Sequence, residues 1–172
     1  KLPFATVLTC GTGSFSEDQT TMSEKLFRAG TASNPKGAVA AIGTATWNTH
    51  TLFNNIMDMG IYDGLFNDEV ETAGAALTSG KLALYNTYPT NPDDWVGAFT
   101  QWNNLMGDPA THLWTDTPEI LSVSHTSDIP AGTNFIDVFV QDENGNNIDG
   151  ALITLWTRLI AAPMNIFSNA IG

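Results

Sequence analysis

The sequence has 172 residues, 42% hydrophobic and 10% aromatic, which suffices for one ordinary domain, or a truncated domain and part of another, and excludes a disordered chain. Six Lys+Arg against eighteen Asp+Glu give a formal net charge of -12, which repels phosphate backbones and anionic lipid, so nucleic acid and acidic membranes are poor partners. There is no apolar run of about 18 residues to span a membrane and no export-signal layout in residues 1–20, and the lone Cys10 excludes an internal disulfide and a thiolate metal cluster.

Phe4 to Thr9 reads as a short strand, and because the chain opens on it without a Met, the sequence is expected to be a piece of a longer precursor. Residues 17–29 predict a helix with Met22, Leu26 and Ala29 on its inner face, stopped by Gly30. "NPKG" then makes a turn into a continuous apolar run, Ala38 to Gly43, which suits a strand covered on both faces. Strand, helix and strand in succession form a βαβ unit. After the polar loop Thr44 to His50, two helices are expected. The first runs from Thr51 to Phe66 and holds Leu52, Ile56, Met59 and Leu65; the second runs from Asp68 to Tyr88 and holds Val70, Ala73, Leu77 and Leu84. Pro89 and Pro92 close this stretch. Trp95, Phe99 and Trp102 have helical spacing, and Gly107-Asp108-Pro109 reads as a structural turn leading to a short strand that ends at Trp114.

The hydrophobic period changes near residues 116–118, which predicts a boundary between a unit of residues 1–117 and one of residues 118–172. "EILSVSH", "NFIDVFVQ" and "GALITLWT" are strand-like, and the last two are expected to pair as a hairpin across "DENGNNIDG". They resemble the opening strands of an immunoglobulin-like sandwich, which needs roughly seven strands and ~100 residues. The tail "LIAAPMNIFSNAIG" shows no strand alternation.

Cys10 sits in "VLTCGTGSFS", at the end of an apolar run and the start of a glycine-rich turn. An unpaired Cys is commonly a small buried hydrophobe, and position alone favours that reading. The alternative is a reactive thiol at the carboxyl end of a strand, where α/β sheets place ligands, with the dipole of the following helix favouring thiolate. Gly11, Thr12 and Gly13 would let a substrate approach and would allow backbone N–H groups to converge on an oxyanion. A dinucleotide loop fits poorly: the third glycine of G-x-G-x-x-G is replaced by Ser16, and the next strand ends in "GTAT" without an acid for a ribose.

"LPFATVLTCGTGSFS", "SEKLFRAG", "PKGAVAAIGTAT" and above all "WNNLMGDPATHLW" stand in an order and spacing that resemble gingipain-like cysteine peptidases, relatives of caspases and legumains. The resemblance extends over about residues 2–157, since "TNFIDVFVQDENGNNIDGALITLW" is similar to the immunoglobulin-like domain that follows the catalytic domain in that family. It implies an α/β fold, the carboxy-terminal part of a caspase-like, mostly parallel sheet flanked by helices, followed by part of an all-β sandwich. It implies a secreted or cell-surface cysteine endopeptidase with Cys10 as nucleophile, Cys10 and Gly11 at the oxyanion, and Trp47, Asn48, Thr49 and His50 at the substrate pocket. Its partners would be protein or peptide substrates and the upstream part of its own catalytic domain.

In the family the catalytic histidine, followed by a glycine, lies upstream of the cysteine, whereas His50, His112 and His125 all lie downstream. That histidine is therefore expected from preceding sequence, which would leave residues 1–172 alone barely active. His50 reads as a pocket wall rather than an acid or base; His112 and His125 read as structural or exposed. Trp95, Trp102 and Trp114 are expected in the core, while Trp47 is expected to line a groove. No cofactor is required. The Asp142, Asn144, Asn146 and Asp149 cluster reads as a hairpin turn; calcium stays open, with no ligands assigned, because some family members bind it. The alternative to an enzyme is a non-catalytic surface module that keeps the peptidase fold.

Overall fold

A computed structural model describes residues 2–155 and 164–167. The chain divides into two compact units, Lys1–Thr115 and Asp116–Gly172.

In the first unit, β1 (Phe4–Val7) and β4 (Ala40–Thr44) run parallel with Phe4 opposite Ala40, and β5 (Asn103–Met106) lies antiparallel on the far side of β4, giving the order β1-β4-β5. Between β1 and β4 come helix α1 (Met22–Arg28) and a minimal hairpin of β2 (Gly30–Thr31) and β3 (Asn34–Pro35). The βαβ unit is therefore present. Every residue of β4 is buried, as its unbroken apolar run requires. Alternation along the strand turns Ala40 and Ile42 into the main core and leaves Gly43 against α1, where an added Cβ would stand 2.1 Å from Ser23 Oγ.

Helix α1 starts at Met22, five residues later than expected, because the Glu24 carboxylate accepts hydrogen bonds from the Thr21 amide and hydroxyl, each 2.9 Å, and so sets the start. Its buried residue is Ser23, whereas Met22 and Ala29 are exposed, contrary to expectation. Only a small side chain fits at the approach to Gly43.

Helix α2 (Thr51–Phe66) has the expected bounds. Phe53, Met57, Ile61 and Leu65 are buried with Gly60 and Gly64, while Leu52 and Met59 are exposed. The glycines decide this. Gly60 faces Gly80 and Ala83, and Gly64 faces Ser79, so α3 (Ala73–Thr87) packs antiparallel against α2 almost backbone to backbone. Helix α3 begins at Ala73 rather than Asp68 because the Thr72 hydroxyl caps it, accepting from the Ala75 amide at 3.3 Å.

A 3-10 turn (Pro92–Asp94) leads into α4 (Trp95–Trp102), whose Phe99 ring lies tilted against Phe53, centroids 4.9 Å apart, and against Trp102 at 5.2 Å. The strand expected to end at Trp114 does not form. The carbonyls of Pro109 and Thr111 instead accept the Gly74 and Ala73 amides at the start of α3, and Trp114 is 78% exposed rather than in the core. Trp95 and Trp102 do pack against the core. A buried polar pair crosses the sheet: Thr44 Oγ1 donates to Asn103 Oδ1 at 2.8 Å, and Asn103 Nδ2 donates to the Phe99 carbonyl at 2.9 Å.

In the second unit, β6 (Ser122–His125) pairs antiparallel with β7 (Val138–Gln141), and β8 (Leu152–Leu155) with β9 (Met164–Phe167). The hairpin expected between "NFIDVFVQ" and "GALITLWT" closes only as far as Ile148, whose amide donates to the Val140 carbonyl at 2.9 Å. Gly150, at φ +74°, then turns the chain, and β8 pairs with part of the tail that the sequence pattern did not mark as strand. Residues 156 and 157 of that expected strand and the rest of the tail lie outside the described residues.

Candidate active site

Parallel neighbours deliver their following loops to the same sheet edge, so residues 8–13 after β1 and 45–50 after β4 meet at the carboxyl end of the sheet. The first loop is pinned from within. Thr12 donates through its hydroxyl to the carbonyls of Val7 and Thr9, and the same oxygen accepts the Thr44 amide at 3.2 Å. Gly13 N–H donates to the Thr44 carbonyl at 3.0 Å, and an added Cβ on Gly13 would lie 2.6 Å from the Gly43 carbonyl carbon. Buried Asn54, in the first turn of α2, donates to the Leu8 carbonyl at 2.9 Å.

The second loop grips the first at three points. The Thr46 carbonyl accepts the Gly11 amide at 2.7 Å; the Trp47 indole covers Gly11, so that a Cβ there would meet the ring at 2.9 Å; and Thr49 Oγ1 lies 2.9 Å from Cys10 Sγ. Gly11 takes φ +69°, which glycine adopts freely. Trp47 Nε1 donates to Glu17 Oε1 at 3.3 Å. The indole thus forms one wall of a groove of about 550 Å³ lined also by Gly11, Glu17, Asp18, Thr21 and Met22.

Cys10 is exposed, not the buried small hydrophobe that its position alone suggested. Its thiol is held below its ordinary pKa first by the Thr49 side chain, then by the Thr49 backbone, with desolvation opposing. Helix α1, expected to turn its dipole on Cys10, begins only at Met22; its first turn is closed by Glu24, and Ser23 N–H donates to the Thr12 carbonyl at 2.9 Å.

Two expected roles meet occupied atoms. The Gly11 amide, a candidate oxyanion donor, is spent on Thr46, which leaves the Cys10 amide of that pair. His50 caps α2, its Nδ1 accepting the Leu52 amide at 3.2 Å while its ring meets Phe53 edge-on. Asn48 is exposed, its amide donating to Thr46 Oγ1. Away from this edge, His112 is 3.8 Å from Glu71 and lies edge-on to Trp114, and exposed His125 contacts the Thr126 carbonyl. Glu17 and Asn54 belong to the site without having been singled out in the sequence; a polar Asn on the buried face of a helix was the available signal. At the 142–147 turn, Asp142 Oδ1 accepts the amides of Asn144 and Asn146 and Oδ2 accepts the Asn146 side chain, so the loop closes on its own amides.

Solved structures share this fold. The Arg specific cysteine proteinase gingipain R (RGPB) is similar with a TM-score of 0.69 and 22% identity, covering 89% of this chain and 34% of its own. The complex of Porphyromonas gingivalis RgpB pro- and mature domains gives 0.67 and 21% identity, with 88% and 34% covered, and a structure described as a protease gives 0.62 and 18%, with 80% and 34% covered. The chain therefore spans about a third of the length of these solved chains. No curated protein matches the sequence. The profile of peptidase family C25 matches residues 1–114, strand β1, Cys10 and both site loops included, and by that match the chain belongs to peptidase family C25.

Proposed function

We propose that Cys10 is the nucleophile of a cysteine endopeptidase whose general base, a histidine, comes from sequence preceding residue 1. The observation that carries this reading is the exposed sulfur at the carboxyl end of β1, hydrogen-bonded to Thr49 and next to the Trp47 groove, in a chain of family C25. The thiolate attacks the peptide carbonyl carbon, and the tetrahedral oxyanion takes a hydrogen bond from the Cys10 amide. The histidine, having accepted the thiol proton, gives it to the leaving amine, and water then hydrolyses the thioester. Gly11 contributes no free donor, and the space over it is taken by the Trp47 indole. Trp47 walls the groove for the substrate chain, while Asn48 and His50, on the same loop, lie outside its lining. Support for an outside histidine comes from His50, whose Nδ1 is committed to the α2 cap, and from the outer edge of β1, which pairs with no strand among the described residues.

We read residues 118–172 as part of an immunoglobulin-like sandwich. The two antiparallel pairs support this, as does a structural likeness covering 89% of the chain, more than the first unit alone.

The test is peptide hydrolysis by the chain with and without its preceding segment, supplied in one chain or as a co-folded partner. General acid–base help contributes about 10²–10⁴-fold, and the extended protein is expected to gain at least that much, with Cys10→Ala abolishing it. Full activity of residues 1–172 alone would overturn the outside histidine. An inert extended protein, with its histidine and Cys10 intact, would leave the non-catalytic module.

A further inference from the structure

We propose that Thr49 is a positioning residue for Cys10, its hydroxyl donating to Sγ so that one orientation of the sulfur is held and its ionised form favoured. This rests on the reading of Cys10 as nucleophile and gives Thr49 a role other than the pocket wall that the family resemblance suggested. The geometry is specific. The Oγ1–Sγ distance is 2.9 Å, well within reach for sulfur, and it joins residues thirty-nine positions apart.

Thr49 is also fixed from both sides. Asn48 N–H is tied to Thr46 Oγ1 and His50 caps α2, so the hydroxyl is presented from backbone anchored at the end of the central strand and at a helix start. A β-branched side chain adds stiffness at χ1, which a serine would lack. Because the Thr46 carbonyl holds Gly11 N–H, the same short segment fixes both the backbone beside the cysteine and the cysteine's own sulfur.

A hydroxyl that donates to sulfur stabilises thiolate over thiol, and this contact is the first cause of the lowered pKa of Cys10. Of the titratable groups on the loop and groove, Glu17 is turned to Trp47, Asp18 lines the groove and His50 is turned to Leu52; none contributes to that lowering.

Cys10 is the sole cysteine, so its alkylation by iodoacetamide can be followed against pH in the 172-residue chain itself. Thr49→Val keeps the branched shape and removes the donor; Thr49→Ser keeps the donor. The valine variant should shift the pH–rate midpoint upward and slow alkylation at pH 7 by about two- to fivefold, a size set by one net hydrogen bond and reduced because a more basic thiolate is the better nucleophile. The serine variant should recover most of the shift. An unchanged midpoint in a folded valine variant, or equal shifts in both variants, would overturn the proposal. Hydrolysis by the extended protein separates the two readings. A shifted midpoint with no hydrolysis keeps Thr49 as the thiol's partner and sinks the peptidase, whereas hydrolysis with an unshifted midpoint does the reverse.

Discussion

Ile42, Met57, Ile61, Leu84, Val96 and Phe99 of the first unit are fully buried around one core, while in the second unit Val140 is the buried hydrophobic among the described residues and Ile120, Val123, Phe135 and Phe139 are exposed. What differs is architecture: β4 is covered by α1 on one face and by α2, α3 and α4 on the other, whereas β6 with β7 and β8 with β9 are two-stranded pieces, a form only marginally stable by itself. The sulfur of Cys10 is therefore displayed on the region with a closed core.

The strongest way to break this contrast is to remove a ring from the closed core. Phe99→Ala should destabilise the first unit by about 3–5 kcal/mol, read by denaturant unfolding, while Val140→Ala should leave that transition where it is. If both substitutions shift one shared transition equally, the units do not differ in the way described. Hydrogen exchange on the same samples should show the β4 amides as the slowest in the molecule and those of β6 and β7 far faster.

A smaller effect is expected at the polar pair inside the core. Asn103→Ala strands the Thr44 hydroxyl in a buried site and should cost about 1–3 kcal/mol; retention of full stability would mean that the pair carries no weight. At the site itself, Gly11→Ala forces an L side chain into positive φ, at about 1–2 kcal/mol, and pushes on the indole of Trp47. The Trp47 ring signals in NMR should move, and their constancy would contradict the close packing.

The smallest effect belongs to the open region. Asp142 is held below the ordinary aspartate value of 3.8 first by the Asn146 side chain and then by its backbone. A depressed carboxylate stabilises the folded loop fully above the unfolded value, and that contribution is lost as pH falls through the lower folded value. The Asn144 and Asn146 amide resonances should therefore follow a titration whose midpoint lies below pH 3.8. Asp142→Ala should free those amides at every pH.

Local signals carried much of this structure into the sequence. The bounds of α2, the β1-α1-β4 succession and the placing of Cys10 at a strand end all follow from apolar runs, caps and glycine turns that a few neighbouring residues define. The exposure of Cys10 depends on family resemblance, because position alone argued for burial. Helix orientation was not legible, since the inner face of α2 is set by Gly60 and Gly64 meeting α3 residues fifteen to twenty-three positions away, and that of α1 by the space over Gly43. The occupied amide of Gly11 was hidden for the same reason: its partner, the Thr46 carbonyl, joins it only when two parallel strands bring their loops together. Trp114 looked like core from composition alone, but the backbone around it had been claimed by the start of α3.

The grip of residues 45–50 on the cysteine loop makes the two banks of the groove mechanically unequal. One bank, carrying Trp47, is moored to β4 behind it, to α2 ahead of it and to Gly11 and Cys10 beside it. The opposite bank, residues 17–20, is exposed loop, tied by the Glu17–Trp47 bond and by the turn from Glu17 N–H to the Ser14 carbonyl. A bulkier guest is accommodated by displacing that second bank, so alterations at Asp18, Gln19 and Thr20 should retune the groove's width while the sulfur stays where it is.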